Sequence, residues 1–255
     1  MPTPIRLTSF VIFVLAAGTV FGQYTTNRLF AVRAEQVCQQ AQAKWGAHPD
    51  DAAAASAVGR TAYDWAEFAT NSEQRAAIAQ IGISACKALV ARDPNSVAGH
   101  YFLGMDYGEL AEAEAPSMAA YKLIREIEHE FKIAGDLEER FDNAGPLRSL
   151  GLLYRDAPGW PISIGSRRKA RELLERAALL SPDYPENPMN LVESYVLWRQ
   201  ADEAQAAWRK LLSIWAAAQT NLAGPAWEAD WSDWRYRREV VKEDFRKAFK
   251  RELAP

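Results

Sequence analysis

The chain has 255 residues, enough for one domain or a small domain with a tail, and 49% of them are hydrophobic, which excludes a disordered chain. Thirty basic against 33 acidic residues leave a formal charge of −3, so no polyanionic or polycationic partner is demanded. Only 14 glycines, plentiful Ala, Leu, Glu, Arg and Gln, and few β-branched runs beyond the N-terminus favour helix.

Arg6 precedes an uncharged apolar stretch, Leu7 to Phe21, that ends in small residues before Gln23. This pattern predicts a secretory signal over residues 1–22, cleaved after Gly22 or nearer Gly18. The stretch is shorter than the roughly 20 residues a spanning helix needs, and an uncleaved N-terminal anchor is the alternative. Residues 23–255 read as one helical domain, exported to the periplasm or cell envelope.

Thr26 to Trp45 has an amphipathic helical pattern, broken at Gly46 and His48-Pro49-Asp50. Asp50 or Asp51 is placed as the cap of a helix from Ala52 to Ala69, and Ser72 as a weak cap before Glu73 to Ala91. Cys38 and Cys86 fall on separate helices. Each reads as a small apolar core residue, with a disulfide as the alternative in an exported chain.

His100-x2-Leu103-Gly104-x2-Tyr107 opens the next hairpin, and Pro116 is placed in the first turn of a long helix through Ile124 and Phe131 towards Leu137. Gly145-Pro146 opens a third hairpin, where Leu150-Gly151-x2-Tyr154 repeats the earlier block 47 residues on. A connector over 155–165 separates its two helices. Ser166 caps the second, which carries Ala170-x3-Leu174-x2-Ala177-x4-Pro182. Leu191-Val192-x2-Tyr195 and Ala204-x3-Trp208-x2-Leu211 make a fourth hairpin. After Gly224-Pro225, Trp227, Trp231, Trp234, Val241, Phe245 and Ala248 form one stripe of a terminal helix over about 225–253, opposed by a charged face.

The two Leu-Gly-x2-Tyr blocks and the Ala-x3-Leu-x2-Ala-x4-Pro block resemble the tetratricopeptide repeat, whose period is about 34 residues. The register runs over about 52–218. The resemblance implies an all-α array of helical hairpins, an α-solenoid with a terminal capping helix, which binds a protein or peptide partner on its concave surface. More narrowly, Gly99-His100-Tyr101-Phe102-Leu103-Gly104, residues 145–158 and Ser181-Pro182-Asp183-Tyr184-Pro185-Glu186-Asn187 look like exported bacterial members that include the T-component of TRAP transporters. That likeness implies a solute-binding subunit as partner, or an enclosed cavity for an apolar small ligand. No cysteine closely follows the apolar stretch, so the lipid-anchored form of export is not expected, and membrane contact is expected only through an uncleaved N-terminal segment.

Two places are candidates for binding. In the connector, Pro158 and Pro161 stiffen the chain around Trp160, which either displays its ring to a ligand or plugs the space between helices. The ring is expected to lie partly buried against the hairpin that starts at Pro146, one edge towards the groove. Arg167 and Arg168, with Lys169 and Arg171, oppose the helix dipole and offer an anion site, although Asp156, Glu172 and Glu175 stand ready to neutralise them. The second place is the groove, which the repeat family would line with His100, Tyr101 and Asp106. No catalytic residue is assigned, because nucleophile-elbow, phosphate-loop and metal-ligand patterns are all missing from the sequence. No cofactor, metal or nucleic acid is expected.

Overall fold

The computed structural model describes residues 28–254, and every regular element among them is a helix. The predicted signal or anchor, residues 1–22, lies outside the described residues. After α1 (Arg28–Ala47) come four antiparallel hairpins: α2 (Ala52–Ala66) with α3 (Ser72–Arg92), α4 (Val97–Glu114) with α5 (Met118–Leu137), α6 (Phe141–Asp156) with α7 (Arg167–Leu180), and α8 (Glu186–Leu197) with α9 (Ala201–Asn221). A 3-10 turn, Pro225–Trp227, leads into the terminal α10 (Glu228–Phe249). This is the order the sequence predicts.

Side-chain caps set several boundaries. Asp51 accepts from the amides of Ala53 and Ala54, Ser96 from Gly99, and Ser166 from Lys169. Two expectations shift by a residue or two. Asn71 rather than Ser72 caps α3. Pro116 stands outside α5, whose cap is Ser117 accepting from Ala120, because a hydroxyl at that position satisfies an amide that a proline ring cannot.

The repeat's small residues sit where they allow close approach. A Cβ on Gly104 would come within 2.6 Å of the Phe131 ring, and one on Gly151 within 2.9 Å of Leu174. The even-numbered helices α2, α4, α6, α8 and α10 form one layer, and α3, α5, α7 and α9 the other. At the C-terminal end, Trp227, Trp231, Trp234, Val241 and Phe245 of the predicted stripe are buried. Trp231 packs edge-on against Trp215 of α9 and Trp234, at 5.1 and 4.9 Å between ring centroids.

The first layer departs from expectation. Its central helices have no open face: α4 is buried at every position from 99 to 111, and α6 from 144 to 154. Of the buried charged side chains, all but Glu130 belong to this layer or its turns. Arg237 on α10 donates to Glu186 at 2.6 Å, Asn190 at 2.6 Å and both Glu193 oxygens at 2.7 and 2.8 Å. Arg148 on α6 donates to the Asn143 carbonyl at 2.9 Å and Asn187 Oδ1 at 3.3 Å, with its guanidinium 5.2 Å from the Tyr184 ring centroid. Just before it, Asp142, Asn143 and Ala144 take left-handed backbone angles, φ 50, 57 and 63°, and the right-handed helix starts at Gly145-Pro146. The sequence placed that start correctly; the left-handed turn ahead of it was not expected.

Asp106 on α4 is completely buried, and among the described residues neither of its oxygens meets a hydrogen-bond donor. It lies so close to α3 that a Cβ on Gly82 would be 2.2 Å from Oδ2. Burial pushes its pKa well above the ordinary carboxyl value, with the charges of Glu109 and Asp64 adding to the rise. Finally, Arg33 on α1 reaches the far end of the chain, donating to the Pro225 carbonyl at 2.7 Å and to Glu228 at 2.8 Å.

Two outcomes follow from this interior. Arg237→Met should cost about 3–5 kcal/mol in urea unfolding, since it leaves Glu186 and Asp233 buried without their cation; a loss below about 1 kcal/mol would contradict the role given to the fork. A carboxyl whose folded pKa is raised stabilises the fold below its unfolded pKa and loses that contribution as pH rises. Asp106→Asn should therefore raise the melting temperature at neutral pH, with a gain that shrinks as pH falls towards 4. A gain that instead grew on acidification would show the carboxyl to be ionised in the fold.

Candidate interaction surface

The connector between α6 and α7 is a closed knuckle. The Ser166 amide donates to the Tyr154 carbonyl at 2.8 Å and the Gly165 amide to the Pro158 carbonyl at 2.9 Å, while Gly159 and Gly165 form an isolated parallel bridge. Inside the stem, the Ile162 and Ser163 amides both turn back to the Gly159 carbonyl, at 3.1 and 3.3 Å. Gly165 cannot be replaced without moving the chain, because a Cβ there would be 2.0 Å from the Ala157 carbonyl oxygen.

This stem leaves its tip in solvent. Trp160 is 89% exposed and Ile162 72% exposed, while Ile164 turns inward against the core. The expectation of a partly buried Trp160 is therefore corrected. The two prolines hold the ring's position, but the stem hydrogen bonds aim it outward. Pro158 is half-buried at the base and Pro161 exposed beside the tip.

The basic cluster divides in two. Arg168 pairs with Glu172 at 2.7 Å and Arg171 with Glu175 at 2.8 Å, as the charge pattern suggested. Asp156 does not join them, because Arg155 holds it at 2.6 and 2.8 Å. Arg167 instead donates to the Trp198 carbonyl and Gln200, at 3.1 and 2.8 Å, and lies over the Trp198 ring. Lys169 lies 4.7 Å from the Tyr154 ring centroid. Neither Arg167 nor Lys169 forms an ion pair with a described carboxylate.

The turn from α8 to α9 adjoins this cluster through Arg167. It adds Leu197, 61% exposed, and Arg199, which donates to the Ala248 carbonyl at 3.1 Å and so brings in the end of α10, where the exposed Lys250 caps the helix in a left-handed conformation. Sequence reading did not single out these three residues. They are distant from the loop along the chain, and only the stacking of consecutive hairpins brings them alongside.

The second predicted place is not a surface. His100 is buried, its Nδ1 2.6 Å from Glu130 and its Nε2 2.9 Å from the Pro94 carbonyl. Two acceptors on one imidazole make it a tie between α4, α5 and the preceding turn. Tyr101 is wholly buried among Phe102, Phe131 and Phe141, with ring centroids 5.2 to 5.9 Å away. Asp106 is the buried acid described above. All three are therefore interior residues, because the layer meant to line a groove is covered. Cys38 and Cys86 are buried and free. Among the described residues no cluster of His, Cys, Asp or Glu could hold a metal ion, and no helix is long and apolar enough to cross a membrane.

No family model matches the chain, and no curated protein matches it by sequence. Solved structures do. TTC0263, described as a thermophilic TPR protein of Thermus thermophilus, is 22% identical, covers 85% of this chain and 95% of its own, and superposes with a TM-score of 0.61. Yeast Tom70 matches 85% of this chain over 60% of its own, at 12% identity and a TM-score of 0.32. The first likeness places the chain in the tetratricopeptide-like fold, in agreement with the hairpin order and the repeat glycines.

Proposed function

We propose that the chain is an exported, non-enzymatic interaction protein of the cell envelope, and that it meets its partner along the hairpin edge that carries the Trp160 loop. One observation carries this. Trp198, Trp208, Trp215, Trp227, Trp231 and Trp234 are buried, whereas Trp160 is held almost entirely in water by a loop with its own hydrogen-bonded stem. A large aromatic ring presented at fixed geometry is the kind of anchor on which binding energy concentrates.

The groove reading needs exposed inner helices, and the buried ones leave it no surface. A carrier of apolar ligands needs an apolar cavity, whereas the side chains of the inner helices are packed on one another and Arg148, Asn187, Asn190 and Arg237 are buried among them. A solute-binding subunit, which the TRAP-like segments imply, would have to dock on the same hairpin edge. Export rests on the apolar stretch after Arg6.

Trp160→Ala should leave the melting temperature within about a degree of the parent, because truncation removes no buried contact. Gly165→Ala should distort the stem while the helices stay folded. With a photo-crosslinking residue at Ile162, the parent should give adducts in the native envelope that both variants lose. A crosslinker on the exposed face of α5 should give none. Undiminished Ile162 adducts in both variants would remove the loop from the contact surface. A fusion of residues 1–23 to a reporter active only outside the cytoplasm should be active, and an inactive one would sink the export reading.

A further inference from the structure

We propose that the hairpin edge around Trp160 docks on an anionic lipid bilayer, with Trp160 and Ile162 inserted at the interface and the neighbouring cations on lipid headgroups. This rests on the reading of that edge as the contact surface and names what it contacts. The shape of the tip is the first reason. Trp160 and Ile162 project from a convex knuckle rather than lining a hollow, so a bound peptide would have nothing to lie in, whereas a bilayer accepts a protruding apolar tip. Tryptophan is the side chain best suited to the headgroup boundary, its ring apolar and its indole N–H free to bond carbonyls and water there.

Charge is the second reason. Arg167, Lys169, Arg199 and Lys250 all stand on this edge, and none forms an ion pair with a described carboxylate. Arg167 and Arg199 are steadied by backbone carbonyls and the Trp198 ring, contacts that fix position without neutralising charge, while Lys169 over the Tyr154 ring also feels the charge of Glu128. The acids of the same turns are engaged by other arginines, Asp202 by Arg251 at 2.8 Å and Glu203 and Glu252 by Arg171 and Arg246 at 4.0 and 3.9 Å. Each basic residue near an anionic membrane surface adds to the attraction, and an inserted apolar tip supplies the second of the two signals that stable attachment requires. Leu197, exposed two residues before Arg199 in the turn from α8 to α9, adds an apolar side chain to the same edge.

The test uses the full chain, whose apolar N-terminal stretch brings a membrane affinity of its own, so the readout must belong to Trp160. The chain is mixed with vesicles of equal phosphatidylcholine and phosphatidylglycerol, or of phosphatidylcholine alone, carrying brominated acyl chains. The expected result is quenching on the anionic vesicles that Trp160→Phe abolishes and that pure phosphatidylcholine does not produce. Joint substitution Arg167→Glu and Lys169→Glu should weaken binding about tenfold, in a manner that added salt reproduces. Equal quenching in the parent and Trp160→Phe would leave the ring in water and overturn the proposal. If that happens while Trp160→Ala still removes the envelope adducts, the edge is a contact surface for a protein and only the bilayer assignment fails. If the adducts also persist, both readings fall.

Discussion

A guanidinium that cannot shed its charge must be met by acceptors wherever it is buried, and two such groups organise the inner layer. Arg237 takes carboxylates and an amide from α8, so α10 must lie with that face turned inward as well as its tryptophan stripe. Arg148 asks for backbone carbonyls at the start of its own helix. The left-handed turn at Asp142, Asn143 and Ala144 is what brings them round. Such a turn costs about 1–2 kcal/mol per residue, and unmet donors on a buried cation would cost more. The irregular backbone is thus a product of the buried charge.

That interior decides where function can lie. In a helical array the inner helices ordinarily offer their faces to a partner. Here they are spent on one another, and the polar groups that might have recognised a ligand recognise neighbouring helices. What remains available is the line of turns joining inner to outer helices, where backbone bends expose side chains that no helix covers. The chain's most exposed tryptophan lies on that line.

The sequence made the hairpins legible because their signals are local. Gly104 and Gly151 act on the next helix of their own hairpin, at Phe131 and Leu174, and the caps at Asp51 and Ser166 act within three residues. The interior was not legible. His100, Tyr101 and Asp106 stand at positions where an open array would display them, and their burial depends on how tightly distant helices close over them. Beyond Asp233 on its own helix, Arg237 finds its partners 44 to 51 residues away, and nothing in its own neighbourhood announces those. Trp160 was misjudged for a different reason. Proline and glycine limit the backbone angles of a loop but are silent about which way it points, and the direction comes from the stem bonds between 154–158 and 165–166.

The contact from Arg33 to Pro225 and Glu228 joins positions 192 and 195 residues apart in a fold whose main helix contacts run between helices next or next but one along the chain. A linear array of repeats frays from its ends, because a terminal unit has a neighbour on one side only. A bond between the first and last described helices gives each a second neighbour and couples their opening. The pair is half-exposed and adds little energy by itself. Its effect is on cooperativity: amide protons at the two ends would exchange with solvent together, as parts of one unit, rather than as independent frayed tips.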